Sequence, residues 1–266
     1  MPDLSDAPDA GHEILTSFVR HRNVLLARGS FSNLYVDYYL HLADNGLKHA
    51  EVHDILFKDA LAAFVLHCAS RPRNETIAWT IHFQEPFVNL FLGGDTDEGI
   101  VVGRVFSDEV REMESSRLYA DVARPGAELQ RSMVAFEYGG AFEAVEMFYE
   151  KSEQRPARCF DLGDERFAMA FAHPDCDMEW FDSLTPEAVA NIAETETVVP
   201  MERRLFKWRC GCNERKILEV LAPLMRDDPS ILFDGSNQVN VNCPRCAGRY
   251  VVNRATLEAF IESRGA

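Results

Sequence analysis

Apolar positions recur three and four apart from Asp37 to Ala69, at Leu40, Leu47, Val52, Ile55, Leu56, Leu61, Phe64 and Val65, and that spacing predicts helix. The pattern changes at Thr76. Ile77, Trp79, Ile81, Phe83, Phe87 and Phe91 nearly alternate as far as Leu92, with Pro86 interrupting, which predicts strand–turn–strand. Gly93-Gly94-Asp95 reads as a turn and Ile100 to Phe106 as another strand. Asp108 to Val122 is charged; its Glu, Arg and Met content favours helix. Ser132 to Tyr138 reads as a short strand, and Gly139-Gly140 breaks the chain. Ala141 to Ser152 follows as an amphipathic helix through Phe142, Val145, Phe148 and Tyr149. Phe167 to Phe171 is a last strand before an acidic stretch, His173 to Pro200, expected to be a linker with one helix near Pro186 to Glu194. Residues 1–11 are rich in Asp, Pro and Ala, a composition that frays.

In the tail, Glu214 to Met225 predicts a helix with Asn213 as a candidate cap and Pro223 in its last turn. Ile231 to Phe233 and Val239 to Asn242 read as short strands across Asp234-Gly235-Ser236-Asn237. Arg249 to Val252 is a third strand, and Thr256 to Ser263 a closing helix.

Charge sharpens the division. The chain of 266 residues carries a formal −16, yet from Met201 onward eleven Lys and Arg face eight Asp and Glu, a net of +3. The preceding 200 residues therefore carry −19, which argues against a nucleic-acid binder, because phosphate contacts need a basic surface. No apolar run approaches the roughly 20 residues that span a bilayer, so no membrane partner is expected. The start, Met1 to His12, lacks the basic and apolar regions of a signal peptide, and a cytoplasmic location is expected.

There are seven cysteines, and in a reducing compartment close pairs read as metal or redox chemistry. Cys210-Gly211-Cys212 is followed thirty residues later by Cys243-Pro244-Arg245-Cys246-Ala247-Gly248. Two close pairs of thiolates match the tetrahedral sulfur cage that zinc prefers, and the intervening helix and hairpin can bring the pairs together. One zinc per chain is expected on Cys210, Cys212, Cys243 and Cys246. A tail of about sixty residues with few large apolar side chains needs such a staple. On spacing alone a purely structural zinc precedes a redox role. Two features favour redox chemistry: both sulfurs of the first pair lie on one short segment, and each close pair offers a disulfide partner if the metal leaves.

These residues carry a resemblance. Phe206 to Arg215 (Phe-Lys-Trp-Arg-Cys-Gly-Cys-Asn-Glu-Arg) and Val241 to Tyr250 (Val-Asn-Cys-Pro-Arg-Cys-Ala-Gly-Arg-Tyr) resemble the 33 kDa chaperonin family, a redox-regulated bacterial heat-shock chaperone. Phe148 to Arg158, with its Ser-Glu-Gln, is a second match, and weaker likeness covers Lys58 to His67 and Trp79 to Val105. The stretch between Ser-Glu-Gln and Cys210 is shorter than the family shows. The resemblance implies an α+β fold: an N-terminal α/β chaperone domain (1–178), a short helical linker (179–204) and a small C-terminal zinc redox-switch domain (205–266). It implies an ATP-independent holdase, idle when reduced and zinc-bound. Oxidation would release zinc and link Cys210 with Cys212 and Cys243 with Cys246. The linker would then open, and unfolding proteins would be bound under oxidative stress, with dimerisation of the oxidised form.

Other features carry less. Cys68 sits on an apolar helix and reads as a buried structural thiol. Cys159 and Cys176 lie near or in the linker; His173-Pro-Asp-Cys176-Asp is a weak metal set, and Cys176 could be an extra oxidation site. His67 and His82 read as core residues, and Glu143, Glu146 and Glu150 as a solvated face. No nucleophile elbow, phosphate loop or His-Glu-x-x-His pair occurs, so no enzyme activity and no catalytic or organic-cofactor site is expected. Two rival readings remain: a zinc-ribbon module for nucleic acid or a ribosomal partner, motivated by Arg245, Arg249 and Arg254, and a constitutive structural zinc protein.

Overall fold

The computed structural model describes residues 11–108, 110–137, 139–227 and 232–265. The frayed start expected for residues 1–11 therefore lies, except for Gly11, outside the described residues. A ten-stranded sheet dominates. Its strands are β1 (His12–Val19), β2 (Val24–Ser30), β3 (Thr76–Phe83), β4 (Val88–Asp95), β5 (Ile100–Phe106), β6 (Ser116–Ala123), β7 (Gln130–Phe136), β8 (Ala157–Asp161), β9 (Arg166–Ala172) and β10 (Val198–Trp208). They lie in the order β7-β6-β3-β4-β5-β10-β1-β2-β9-β8. Neighbours pair antiparallel except β10 and β5, which touch in parallel at Lys207–Ile100 and Trp208–Val101.

The expected helix over Asp37 to Ala69 is two helices, α1 (Ser32–Asp44) and α2 (Glu51–Ser70), separated at Asn45-Gly46. From Ala60 to Ala69 every residue of α2 is buried, as befits a helix apolar on all sides that runs through a core. It packs on β2, β4 and β9 and beside α3 (Ala141–Phe148), whose last turn widens into a π turn at Tyr149–Glu153. Trp79, Phe64, Phe148, Tyr149 and Phe171 fill the space between, with His67 stacked on Trp79. His67 and His82 are core residues as expected, each bonded through Nδ1, to Tyr149 and Asn89, with Nε2 unpaired. Burial pushes the Cys68 thiol far up, which suits an inert structural cysteine.

Several expectations are corrected. Residues 116–123 form a strand rather than a helix, since Ser116, Leu118 and Ala120 point inward at period two while β3 and β7 pair on either side. Gly93-Gly94-Asp95 is not a turn but the end of β4. Gly94 makes room for α2, because a Cβ there would lie 3.0 Å from Phe64 and 3.2 Å from the Cys68 sulfur. Of the expected strand Ile231 to Phe233, Leu232 and Phe233 are helical, and Ile231 lies outside the described residues, as does Tyr138. Glu143 and Glu146 are not merely solvated: Glu143 accepts from the Gly140 N–H at the start of α3, and half-buried Glu146 accepts from the Cys159 N–H at 2.7 Å.

The acidic stretch before the tail holds three short helices, α4 (Met178–Ser183), α5 (Pro186–Ala190) and α6 (Ile192–Thr195), rather than one. Phe181, Leu184, Val189 and Ile192 cover β2, β8 and β9 in a second apolar cluster. The chain then re-enters the sheet as β10, between β1 and β5, and runs directly to the first cysteine pair. Beyond it lie α7 (Glu214–Asp227), the hairpin β11 (Gln238–Asn242) and β12 (Arg249–Asn253), and α8 (Arg254–Gly265). Asn213 caps α7 through Oδ1, accepting from the Lys216 N–H. These elements share a small core of Ile217, Leu221, Phe233, Val252 and Leu257.

Candidate metal centre

The four cysteines of the two pairs meet. Their sulfurs all lie within 4.8 Å of one another, with Cys210 and Cys243 at 3.6 Å and Cys212 and Cys246 at 3.5 Å. Four sulfurs so placed can hold a metal ion, and among the described residues no other group of His, Cys, Asp or Glu does so. Cys243 and Cys246 are buried; Cys210 and Cys212 are half-exposed, so one side of the cluster faces solvent.

Local sequence builds each half. The first pair follows β10 at once, anchored by Trp208, which packs against Tyr38 and Phe57. The second pair is a knuckle after β11. Cys243 N–H donates to the Gly248 carbonyl and Ala247 N–H to the Cys243 carbonyl, closing the turn. Gly248 is required there: its N–H points at the Cys246 sulfur at 3.4 Å, and a Cβ would crowd that sulfur at 3.2 Å. Tyr250 Oη donates to the Cys212 sulfur at 3.1 Å. Burial raises the Tyr250 phenol, and its bond to Cys212 raises it further, so it remains a donor.

The sulfurs share protons unequally. Hydrogen bonds from Cys210 and Cys246 hold Cys243 well below an ordinary thiol, while the bond to Cys243 pushes Cys210 up to about 12. Bonds to Cys210 and Cys243 likewise raise Cys246. Such a cluster ionises one thiol readily and resists further ionisation unless a cation joins it.

The large sheet and its helices grip this centre with residues that the sequence reading did not single out. Arg104 of β5 donates Nη1 to the Cys243 carbonyl at 3.0 Å. Burial lowers its pKa, and the sulfurs of Cys243 and Cys246 oppose that. His41 of α1 donates Nε2 to the Cys246 carbonyl at 2.7 Å, and Asn45 accepts from the Arg249 N–H at 2.9 Å. Val102 of β5 lies buried beneath the cysteines. These contacts join positions 139 to 205 residues apart, so no local signal could reveal them. Of the remaining cysteines, Cys68, Cys159 and Cys176 stand apart from the cluster.

The fold and site thus define a mixed α/β protein with a tail folded around four thiols that could hold a metal ion. Over residues 164–253 the chain matches the sequence profile of the Hsp33 protein family. It is 24% identical to a 33 kDa chaperonin of Nitrosococcus oceani over 165 residues, 54% of this chain and 57% of the relative. It is 27% identical to one of Hahella chejuensis over 85 residues, 32% of this chain and 30% of the relative. The chain thus spans little more than half the length of the first of these relatives and less than a third of the second. Its fold is that of the crystal structure of a 33 kDa chaperonin (heat shock protein 33 homolog) from Thermotoga maritima. The TM-score is 0.71 at 15% identity, covering 96% of this chain and 99% of the other. In the matched part of its sequence and in its fold, the chain is thus similar to the 33 kDa chaperonins. No helix among the described residues is long and apolar enough to cross a membrane.

Proposed function

We propose that this protein is a redox-regulated, ATP-independent holdase whose switch is a zinc centre on Cys210, Cys212, Cys243 and Cys246. The observation that carries the reading is the convergence of four thiols, and only thiols, at the seam between the tail and the sheet. Bonds of about 2.3 Å around tetrahedral zinc put sulfurs about 3.8 Å apart, and the observed spacings are close to that. Bound zinc would hold all four sulfurs as thiolates at neutral pH. The half-exposed Cys210 and Cys212 are the sulfurs an oxidant meets first.

On oxidation by hypochlorite or peroxide, each close pair gives up two electrons and forms one disulfide, Cys210 with Cys212 and Cys243 with Cys246. The oxidant takes up those electrons. Turns built to aim four sulfurs at one point lose that constraint, and the carbonyls gripped by Arg104 and His41 leave their partners. The tail beyond Trp208 loosens from the N-terminal body, β10 staying paired in the sheet, and apolar surface becomes available to unfolding proteins. The test exposes reduced, zinc-loaded protein to hypochlorite, follows metal with a colour-forming chelator, and assays suppression of client aggregation on the same samples. One zinc released per chain with holdase activity rising in step is expected. Zinc retained, or lost with no gain of activity, would leave a structural zinc protein.

A further inference from the structure

The exposed face of α1 and the start of α2 forms an apolar stripe that nothing in the chain covers among the described residues. Val36, Tyr39 and Leu40 lie on one arc of α1, and Val52 and Ile55 one turn apart on α2; all are between 42 and 57% exposed. These five exposed large apolar side chains sit on two helices joined through Tyr38 and Tyr39, whose hydroxyls donate to Asp54, and Tyr39 and Ile55 share one hollow. Two hollows flank them. One, of about 470 Å³, lies between the end of α1 and the start of α2 and is walled by Tyr39, Leu42, Ala43 and Leu47. The other, of about 380 Å³, lies between Tyr35, Tyr39, Ile55 and the turn after β8. Tyr39, Glu51 and Asp54 border both, so the two hollows adjoin as one groove divided by the hydrogen bond from the Tyr39 hydroxyl to Asp54.

The polar rim of that groove is acidic. Glu51, Asp54, Asp59, Asp161 and Asp164 line it. Against them stand Lys48 and Lys58, and Lys58 is already paired with Glu165 at 2.9 Å. Burial and the neighbouring Asp161 push the Asp59 carboxyl up to about 6, so an arriving cation would relieve this crowding of carboxylates. The groove also adjoins the switch: α1 holds the cysteine knuckle through His41 and Asn45 while turning Val36 and Leu40 to solvent.

We propose that this α1–α2 groove binds clients, and that it selects extended segments of unfolding proteins in which apolar residues are interspersed with Lys or Arg. Apolar side chains of the segment seat in the groove on Tyr39 and Ile55 and beside it on the exposed Val36 and Leu40 of α1, and its cations meet the acidic rim. Release of His41 and Asn45 when the cysteine knuckle departs lengthens the groove toward the C-terminal end of α1. The proposal rests on the holdase reading and adds to it the place and the chemistry of the client.

The test uses the oxidised full chain and a fluorescent, unstructured peptide alternating Leu or Phe with Lys, beside the same peptide with Glu for Lys. Anisotropy gives affinity, and light scattering gives suppression of client aggregation. The wild type is expected to bind the Lys peptide at least about tenfold more tightly than the Glu peptide, with the gap closing as salt rises. V36E/L40E should lose about tenfold for the Lys peptide while melting and releasing zinc as the wild type does. E51Q/D164N, which keeps the apolar stripe, should bind both peptides nearly alike. Equal binding of the two peptides by the wild type, or unchanged binding by V36E/L40E, would overturn the proposal. So would a wild-type dimer that V36E/L40E dissociates without peptide ever binding, since the face would then meet a second copy. If the oxidised wild type suppresses no aggregation, the holdase reading itself fails; if it does and V36E/L40E does so equally, only the groove is refuted.

Discussion

Arg104 gives the most direct measure of how firmly the cysteine centre is held to the sheet. Its Nη1 reaches the Cys243 carbonyl at 3.0 Å, and its guanidinium lies over Phe106 at 4.2 Å. Replacement by Met keeps most of the apolar stem and removes the donor. A hydrogen bond from a charged donor contributes about 1.5–3 kcal/mol. Two facts put Arg104 at the lower end. The Cys243 carbonyl keeps the Ala247 N–H at 2.9 Å, so it is not orphaned. Burying the guanidinium is itself costly, as its lowered pKa and its unpaired Nε indicate. The net loss should be about 1.5 kcal/mol, or about a tenfold larger fraction of molecules with the tail undocked. If oxidant reaches Cys243 through that undocked state, zinc release at limiting hypochlorite should quicken by about the same factor. Hydrogen exchange at the amides of Cys243 and Ala247, measured without oxidant, should quicken in parallel. A Met variant with unaltered melting, exchange and release within a factor of two would show that the bond does not hold the tail, and the docking argument would fall. Asn45→Ala, which removes the bond to Arg249, should add to Arg104→Met less than fully, because both act on one docking step.

Cys246→Ser should bind zinc at far below one per chain in a chelator competition, with Trp208 emission shifting to the red as its apolar surroundings loosen. Full metal retention would remove Cys246 from the ligand set. Gly94→Val should lower stability by about 1–3 kcal/mol in urea titration, because the added atoms meet Phe64 and Cys68; a neutral result would mean that α2 shifts freely. Glu75 is buried between Arg71 and Arg124, and although burial opposes it, their hydrogen bonds and charges hold its carboxyl below the usual range. A depressed carboxylate contributes stability above its unfolded pKa of about 4.3 that is lost as pH falls through the folded value. The melting temperature should therefore drop steeply below about pH 4, and Glu75→Gln should be destabilised at neutral pH with a flatter acid limb.

What could be read from sequence was what depends on near neighbours. The cysteine pairs, the Asn213 cap and the period-two runs of β3 and β5 are each local. Failures came where a distant partner overrules local preference. The Glu, Arg and Met of residues 108–122 favour helix, but pairing with β3 on one side and β7 on the other imposes strand. Adjacent glycines at 93 and 94 signal a turn, but they continue β4, and α2 presses on Gly94 through Phe64 and Cys68. Strand β10 straddles the end of the acidic stretch, Val198 to Pro200, and the start of the basic tail, Met201 to Trp208. Its neighbours in the sheet, β1 and β5, lie far away in sequence, and of its eleven residues only Arg204 and Phe206 are buried. The centre itself was legible as a set of ligands but not as a seam, since His41, Asn45, Val102 and Arg104 belong to it only through tertiary contact.

Strand β10 also sets the kinetics of any closing. Its last residue, Trp208, is bonded into the sheet, and Cys210 follows two residues later, a reach of at most about 7 Å. However far the tail opens, its first sulfur pair stays leashed to the landing site on β5. Short tethers of this kind hold partners at effective concentrations in the millimolar range. Once thiols are restored, re-docking is a unimolecular search over a few ångströms, so its rate should not depend on how dilute the protein is.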